Sequence, residues 1–93
     1  MTDSAPLTRT ITILNPKGLH ARASARFVAC IAQFKACVVV SRDGNSVDGT
    51  SIMGLLMLGA SYGTEIEIEA SGPEAADALE ALTVLVRDNF LDT

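Results

Sequence analysis

Residues 65–70 read Glu-Ile-Glu-Ile-Glu-Ala. Strict alternation of charged and apolar side chains is the period of a β-strand, whose successive side chains point to opposite faces. Ile66, Ile68 and Ala70 must therefore face a core, and Glu65, Glu67 and Glu69 must face water. A parallel sheet is covered on both faces. The pattern instead selects an antiparallel sheet with helices packed on one side.

The rest of the chain supplies the partners of that strand. TRTITIL, 8–14, alternates with the same period and predicts a first, half-buried strand, which Asn15, Pro16 and Gly18 break. From about Ala21 the period becomes helical. Phe27, Ile31 and Phe34 fall at i, i+4 and i+7 with Val28 and Ala32 alongside, which predicts a helix ending near Lys35. ACVVVS, 36–41, is a β-branched run and a second strand. RDGN is a turn, and a short third strand follows near Ser46 to Asp48. SIMGLLMLG, 51–59, predicts a short apolar helix with Ser51 near its N-cap and Gly59 as its stop. Beyond the fourth strand, Pro73 fits the first turn of a last helix, and Glu74 and Asp77 suit its positive end. Its buried stripe is Ala75, Ala78, Leu79, Leu82, Leu85 and Val86. The order β-α-β-β-α-β-α gives an α+β fold, one four-stranded antiparallel sheet covered on one side by three helices. At 93 residues the chain makes one domain, 1–93, with the polar residues 1–7 expected to be flexible.

Charge narrows the function. The net charge is −4, yet Arg9, Lys17, Arg22, Arg26, Lys35 and Arg42 all precede Asp43, opposed in that stretch only by Asp3. Lys17, Arg22 and Arg26 flank His20, the single histidine. A basic cluster on an acidic protein fits an anion or an acidic partner; the alternative is a solvated helix face. Nucleic-acid binding is not expected, because the balance is acidic and Tyr62 with three scattered phenylalanines makes no stacking platform. No apolar run reaches the length of a membrane span, and the first residues lack the basic and apolar regions of a signal peptide, so a cytoplasmic protein is expected. Cys30 and Cys37 are expected as free thiols, Cys30 as a small core residue. With one histidine they make a poor zinc site, so no metal is expected.

His20 sits where chemistry is available. It follows Gly18, which lets the loop turn, and stands at or just before the start of a helix, whose first amides lack carbonyl partners. Those amides and the helix dipole attract an anion. A neutral imidazole nitrogen is a competent nucleophile, and Arg22 can donate to phosphoryl oxygens in fork geometry. The other reading is a structural histidine. No GxSxG is present, and GTSIMG, 49–54, has the glycine spacing of a phosphate-binding loop without its lysine.

GLHAR, 18–22, resembles the active-site signature of HPr, the histidine-containing phosphocarrier family of the bacterial phosphotransferase system. TSIMGLLMLGASYG, 50–63, resembles a second motif of that family, and EIEIEASGPEAADALEAL, 65–82, its last strand and helix. The resemblance covers nearly the whole chain and implies an open-faced β-sandwich. It implies that His20 accepts a phosphoryl group, on Nδ1, from the phosphoenolpyruvate-dependent enzyme I and passes it to a IIA protein, with Arg22 contacting the group. Such a protein is a carrier rather than a turnover enzyme, needs no cofactor and acts as a monomer. The resemblance further implies that HPr kinase/phosphorylase modifies Ser51, and that Ala21, Ala25, Ile52, Met53 and Leu56 dock partners. Read from the residues alone, Ser51 is a helix cap and the three apolar residues are core. The helix is apolar all round, however, which suits an exposed patch. Where the family usually has proline after the arginine, this chain has Ala23. LLML and EIEASGP resemble the nitrogen-related carriers, and SIMG resembles the kinase-regulated ones. The alternative within the same fold is a regulatory interaction module that no longer transfers phosphate.

Overall fold

The computed structural model describes residues 6–91. The strands are β1 (Leu7–Thr12), β2 (Cys37–Arg42), β3 (Asn45–Asp48) and β4 (Glu65–Ser71). The helices are α1 (Ala21–Ile31), α2 (Ile52–Met57) and α3 (Ala75–Arg87), followed by a short turn of 3-10 type over Asn89–Leu91. All pairings are antiparallel, in the order β1-β4-β2-β3, so β4 lies inside the sheet although it comes last in sequence.

The pleat sorts the two faces as the sequence pattern demands. Val38, Val40, Ile66, Ile68 and Ala70 are buried toward the helices. Their neighbours Cys37, Val39, Glu65 and Glu67 are exposed on the helix-free face. Phe27 and Ile31 of α1, Leu55 of α2, and Leu79, Leu82 and Val86 of α3 complete one core. Truncating a fully buried phenylalanine such as Phe27 costs about 3–5 kcal/mol.

Several boundaries differ from those the sequence pattern predicts, each for a local reason. β1 stops at Thr12 because Ile13 leaves the ladder for the loop before β4: its N–H donates to Thr64 O at 2.8 Å, and Gly63 N–H donates to Ile13 O at 2.7 Å. Leu7 to Thr10 are exposed, since β1 is an edge strand. The expected flexible segment, 1–7, lies outside the described residues through Ala5, whereas Leu7 already pairs with Ala70. α1 ends a turn before Lys35. Gln33 and Phe34 donate to Cys30 O and Ile31 O, the tightened spacing with which helices finish.

Pro73 lies before α3 rather than in its first turn. Glu74 occupies the N-cap, and its carboxylate accepts the Lys35 N–H at 2.7 Å. On α3, Leu85 is only half-buried and Thr83 takes a buried place. A buried hydroxyl needs partners: Thr83 Oγ1 donates to Leu79 O at 2.7 Å and accepts Arg9 Nη1 at 2.9 Å. Cys30 is half-buried, not core, and its burial pushes the thiol up.

The chain after α3 reverses in a way the sequence pattern does not signal. Asn89, Phe90 and Leu91 all have left-handed backbone, φ 56°, 56° and 65°. Each such residue costs about 1–2 kcal/mol. The compensation is Phe90, 0 % exposed in the core, and the Arg26 guanidinium, which donates to Phe90 O at 2.5 Å.

Candidate functional site

The site is assembled on the loop from Ile13 to His20, which is fastened to the loop before β4. Gly18 makes the tight approach. Its φ is +65°, and a Cβ there would fall 2.5 Å from Ala60 O. The next amide, Leu19 N–H, donates to that same carbonyl at 2.8 Å. Asn15, buried in the loop, donates from Nδ2 to Gly18 O at 2.7 Å. The His20 N–H also reaches Gly18 O, at 2.9 Å. Two donors converge on one carbonyl and fix the backbone of His20.

His20 is the N-cap of α1, with extended backbone (φ −76°, ψ −178°). Its carbonyl accepts the first intrahelical bond, from Ser24 N–H at 2.8 Å. Its side chain makes no capping hydrogen bond to the helix. The imidazole thus stands at a helix N-terminus that it does not itself cap. The amides of Ala21, Arg22 and Ala23 precede the start of the intrahelical ladder and carry the positive end of the dipole. Ala23 is fully buried, so the residue where relatives of the resembled family carry proline is a packing position.

The fold gathers the basic residues that flank His20 in sequence. A cleft of about 390 Å³ is lined by Asn15, Lys17, Arg22, Arg26, Asn89 and Leu91. Lys17 and Arg22 are exposed and Arg26 is half-buried. A larger trough of about 710 Å³ lies on the helix-free face among Thr10, Ser41, Glu65 and Glu67. Its one basic side chain, Arg42, already donates to Leu58 O and pairs with Asp43, so the trough offers an anion little.

The second motif lies on α2, which packs against α1 and β3. Ser51 is its N-cap, and Ser51 Oγ accepts Gly54 N–H at 3.0 Å. A tight turn sets that cap. The Thr50 hydroxyl and amide both donate to Asp48 Oδ1, at 2.7 and 2.8 Å. The hydroxyl first, and the amide second, hold the Asp48 carboxyl below its usual value of 3.8. Ile52, Met53 and Leu56 are exposed rather than core; Leu55 is the residue of α2 that is buried. Met57 and Tyr62, at 79 % and 64 % exposed, extend the apolar surface beyond the residues that the motif singles out. Ala21 and Ala25 are exposed one turn apart on α1. The basic cluster names Arg26 from sequence, but the burial of Asn15 and the bond of Arg26 to a backbone carbonyl 64 residues away escape a sequence reading, since asparagine in a loop looks solvated.

Among the described residues no group of three or more His, Cys, Asp or Glu side chains is placed to hold a metal ion. No helix among them is long and apolar enough to cross a membrane.

Comparison with known proteins identifies the family and the fold. The family profile described as "PTS HPr component phosphorylation site" matches residues 7–88. The phosphocarrier protein HPr of Neisseria meningitidis is 48% identical over 84 residues, covering 90% of this chain and 94% of the relative. The solved structure of HPr-C-His from Thermoanaerobacter tengcongensis superposes with a TM-score of 0.89 at 36% identity, over 94% of this chain and 98% of that one. An HPr dimer from the same organism superposes at 0.73 with 34% identity, over 97% of this chain and 98% of that one.

Proposed function

Because the chain belongs to the HPr family of phosphocarriers of the phosphotransferase system, we propose that His20 is its phosphoryl acceptor, charged by enzyme I and discharged to a IIA protein. The observation that carries this reading is the position of His20: an N-cap whose imidazole makes no capping bond, on a backbone held by Gly18, between Lys17 and Arg22. In the transfer a neutral ring nitrogen attacks phosphorus, a P–N bond forms, and the donor's bond to phosphorus breaks. Charge on the phosphoryl oxygens is met by the first amides of α1 and by Arg22. The return step reverses these bonds, so the protein carries the group without consuming it.

Ser51 is the regulatory position in this proposal. Phosphate on its Oγ adds about −1.5 to −2 charge at the start of α2, beside the exposed Ile52 and Met53. An apolar docking face tolerates such a charge poorly, so HPr kinase/phosphorylase acting there lowers transfer by weakening docking. Ala21 and Ala25 of α1 and Ile52, Met53 and Leu56 of α2 form that face. The carrier acts in the cytoplasm as a monomer, although a neighbour of the same fold is a dimer, and its outputs are those of a nitrogen-related, regulatory branch.

The test is intact mass after incubation with phosphoenolpyruvate and enzyme I, beside His20→Ala. The expected result is one acid-labile phosphoryl group on the native chain and none on the variant. No gain with a competent enzyme I sinks the carrier reading and leaves a binding module. A Ser51 that HPr kinase ignores sinks the regulatory half alone.

A further inference from the structure

The backbone that leads into His20 is held by two buried polar side chains. Asn15 and Ser24 are 1 % and 0 % exposed. The peptide plane joining Gly18 to Leu19 is gripped at both ends: its N–H donates to Ala60 O at 2.8 Å, and its carbonyl accepts Asn15 Nδ2 at 2.7 Å. The next plane, joining Leu19 to His20, is gripped in the same way. Its N–H donates to Gly18 O at 2.9 Å, and its carbonyl accepts Ser24 Oγ at 3.3 Å.

Gly18 is the reason that a clamp is needed. Its close approach to Ala60 excludes a Cβ, and the freedom of glycine lets the peptide plane that follows it rotate. Rotation there swings the His20 backbone and the imidazole with it. The amide of Asn15 also carries a cost. Its Oδ1 is buried with no hydrogen-bond partner among the described residues, an unfavourable state that leucine, of the same shape, would avoid. Turning the amide over would set Oδ1 against Gly18 O, acceptor facing acceptor, so the inner atom must be Nδ2. What asparagine supplies at this position, and leucine cannot, is the donor to Gly18 O.

We propose that Asn15 and Ser24 are positioning residues for phosphoryl transfer, which lock the two peptide planes ahead of His20 so that its imidazole meets the phosphoryl group at the first amides of α1. Both act through the His20 backbone rather than on the transferred group. A reacting atom displaced by about 1 Å loses up to about 10²-fold in rate, and supporting hydrogen bonds are what keep a site from loosening by that much. The role in transfer rests on the carrier reading; the fixing of the backbone does not.

The experiment compares Asn15→Leu and Ser24→Ala with the native chain by melting temperature, by hydrogen exchange of the backbone amides, and by steady-state phosphorylation with enzyme I and phosphoenolpyruvate. Asn15→Leu is expected to melt close to the native chain, because Gly18 O keeps the His20 N–H while the orphaned Oδ1 is gone. Ser24→Ala, the smaller change, carries the test if Asn15→Leu does not fold. Exchange of the Leu19 and His20 amides is expected to rise several-fold, with Val40 and Ile68 in the sheet unchanged. The kcat is expected to fall about tenfold for Asn15→Leu, and by less for Ser24→Ala with its longer bond, while the KM for the carrier stays the same. Ile68→Val, a core change in β4, should lower the melting temperature without altering kcat. An unchanged kcat, a loss confined to KM, unchanged exchange at His20, or an equal loss of kcat in Ile68→Val would each overturn the proposal. A native chain that takes no phosphate fails the carrier reading instead, and exchange at His20 then decides whether the clamp exists.

Discussion

Gly18 and Gly59 share a backbone conformation, φ +65° and +64°, but not an environment. A Cβ at Gly18 would lie 2.5 Å from Ala60 O and 2.8 Å from Ser61 Cα, whereas at Gly59 it would meet nothing within 4 Å. Replacing either glycine by alanine incurs the left-handed cost of about 1–2 kcal/mol. At Gly18 two backbones must also part. The bond from Leu19 N–H to Ala60 O at 2.8 Å is then lost, for about 1 kcal/mol, with a further contribution from strain in the loop. Gly18→Ala is therefore expected to destabilise by about 3–4 kcal/mol and Gly59→Ala by about 1–2 kcal/mol. In a domain of this size each kcal/mol lowers Tm by about 4–8 °C, so the two variants should melt roughly 10 °C apart. Urea denaturation by linear extrapolation measures the difference. The phosphorylation rate of the folded fraction should fall for Gly18→Ala alone, because Gly18 O is the carbonyl that fixes His20. Equal destabilisation to within about 0.5 kcal/mol would refute the argument that loop contact, rather than backbone conformation, makes glycine necessary there.

Ser51→Ala should cost about 1 kcal/mol through loss of the cap on α2; Ser51→Asp should retain the cap and stability yet slow phosphorylation by enzyme I, and an unaffected rate would argue against docking beside Ser51. Asp48 is held below 3.8 by Thr50, so the stabilisation is present above pH 3.8 and is lost as pH falls through the lower folded value. The stability gap between the native chain and Thr50→Val should accordingly close on acidification, and a gap that is flat with pH would contradict this. Cys37 is exposed, whereas Cys30 is half-buried with its thiol pushed up; iodoacetamide should modify Cys37 first, as peptide mass mapping will report, and equal rates would be inconsistent with these positions. Met53→Ser should leave the unfolding midpoint within about 0.5 kcal/mol of native while raising the KM of enzyme I for the carrier; lost stability with unchanged KM would return Met53 to the core.

What was legible in the sequence is what a single period encodes. The alternation in EIEIEA determines which face of β4 is buried, and the helical period of Phe27 and Ile31 places α1 against it. GLHAR and SIMGL mark both ends of the candidate site because they are local in sequence. What was not legible depends on contacts across long separations. Thr8 to Thr10 look half-buried by pattern and are exposed because the sheet order leaves β1 at an edge. Thr83 breaks the apolar stripe of α3, and its buried hydroxyl is satisfied by Leu79 O on its own helix together with Arg9 from a distant strand. The left-handed run at Asn89–Leu91 carries no glycine to announce it. It forms because Phe90 finds the core and Arg26 finds its carbonyl. Asn15 reads as a loop breaker, and its burial becomes visible only once the loop is folded onto Ala60.

The separation of stability from function is clearest in α2. Six residues cannot sustain a helix by themselves. This one persists because Ser51 Oγ takes the Gly54 N–H at one end and Arg42 donates to Leu58 O at 3.0 Å at the other. Between them Leu55, fully buried, and Leu58, nearly so, seat it in the core. None of these anchors is Ile52, Met53, Leu56 or Met57, and Met53 and Met57 remain 68 % and 79 % exposed. The fold thus gains little from apolar side chains at Met53 and Met57, and water disfavours them there. Two exposed, adaptable methionines on a helix whose first cap is a hydroxyl support the proposal that this face docks partners and that phosphate at Ser51 would weaken the docking.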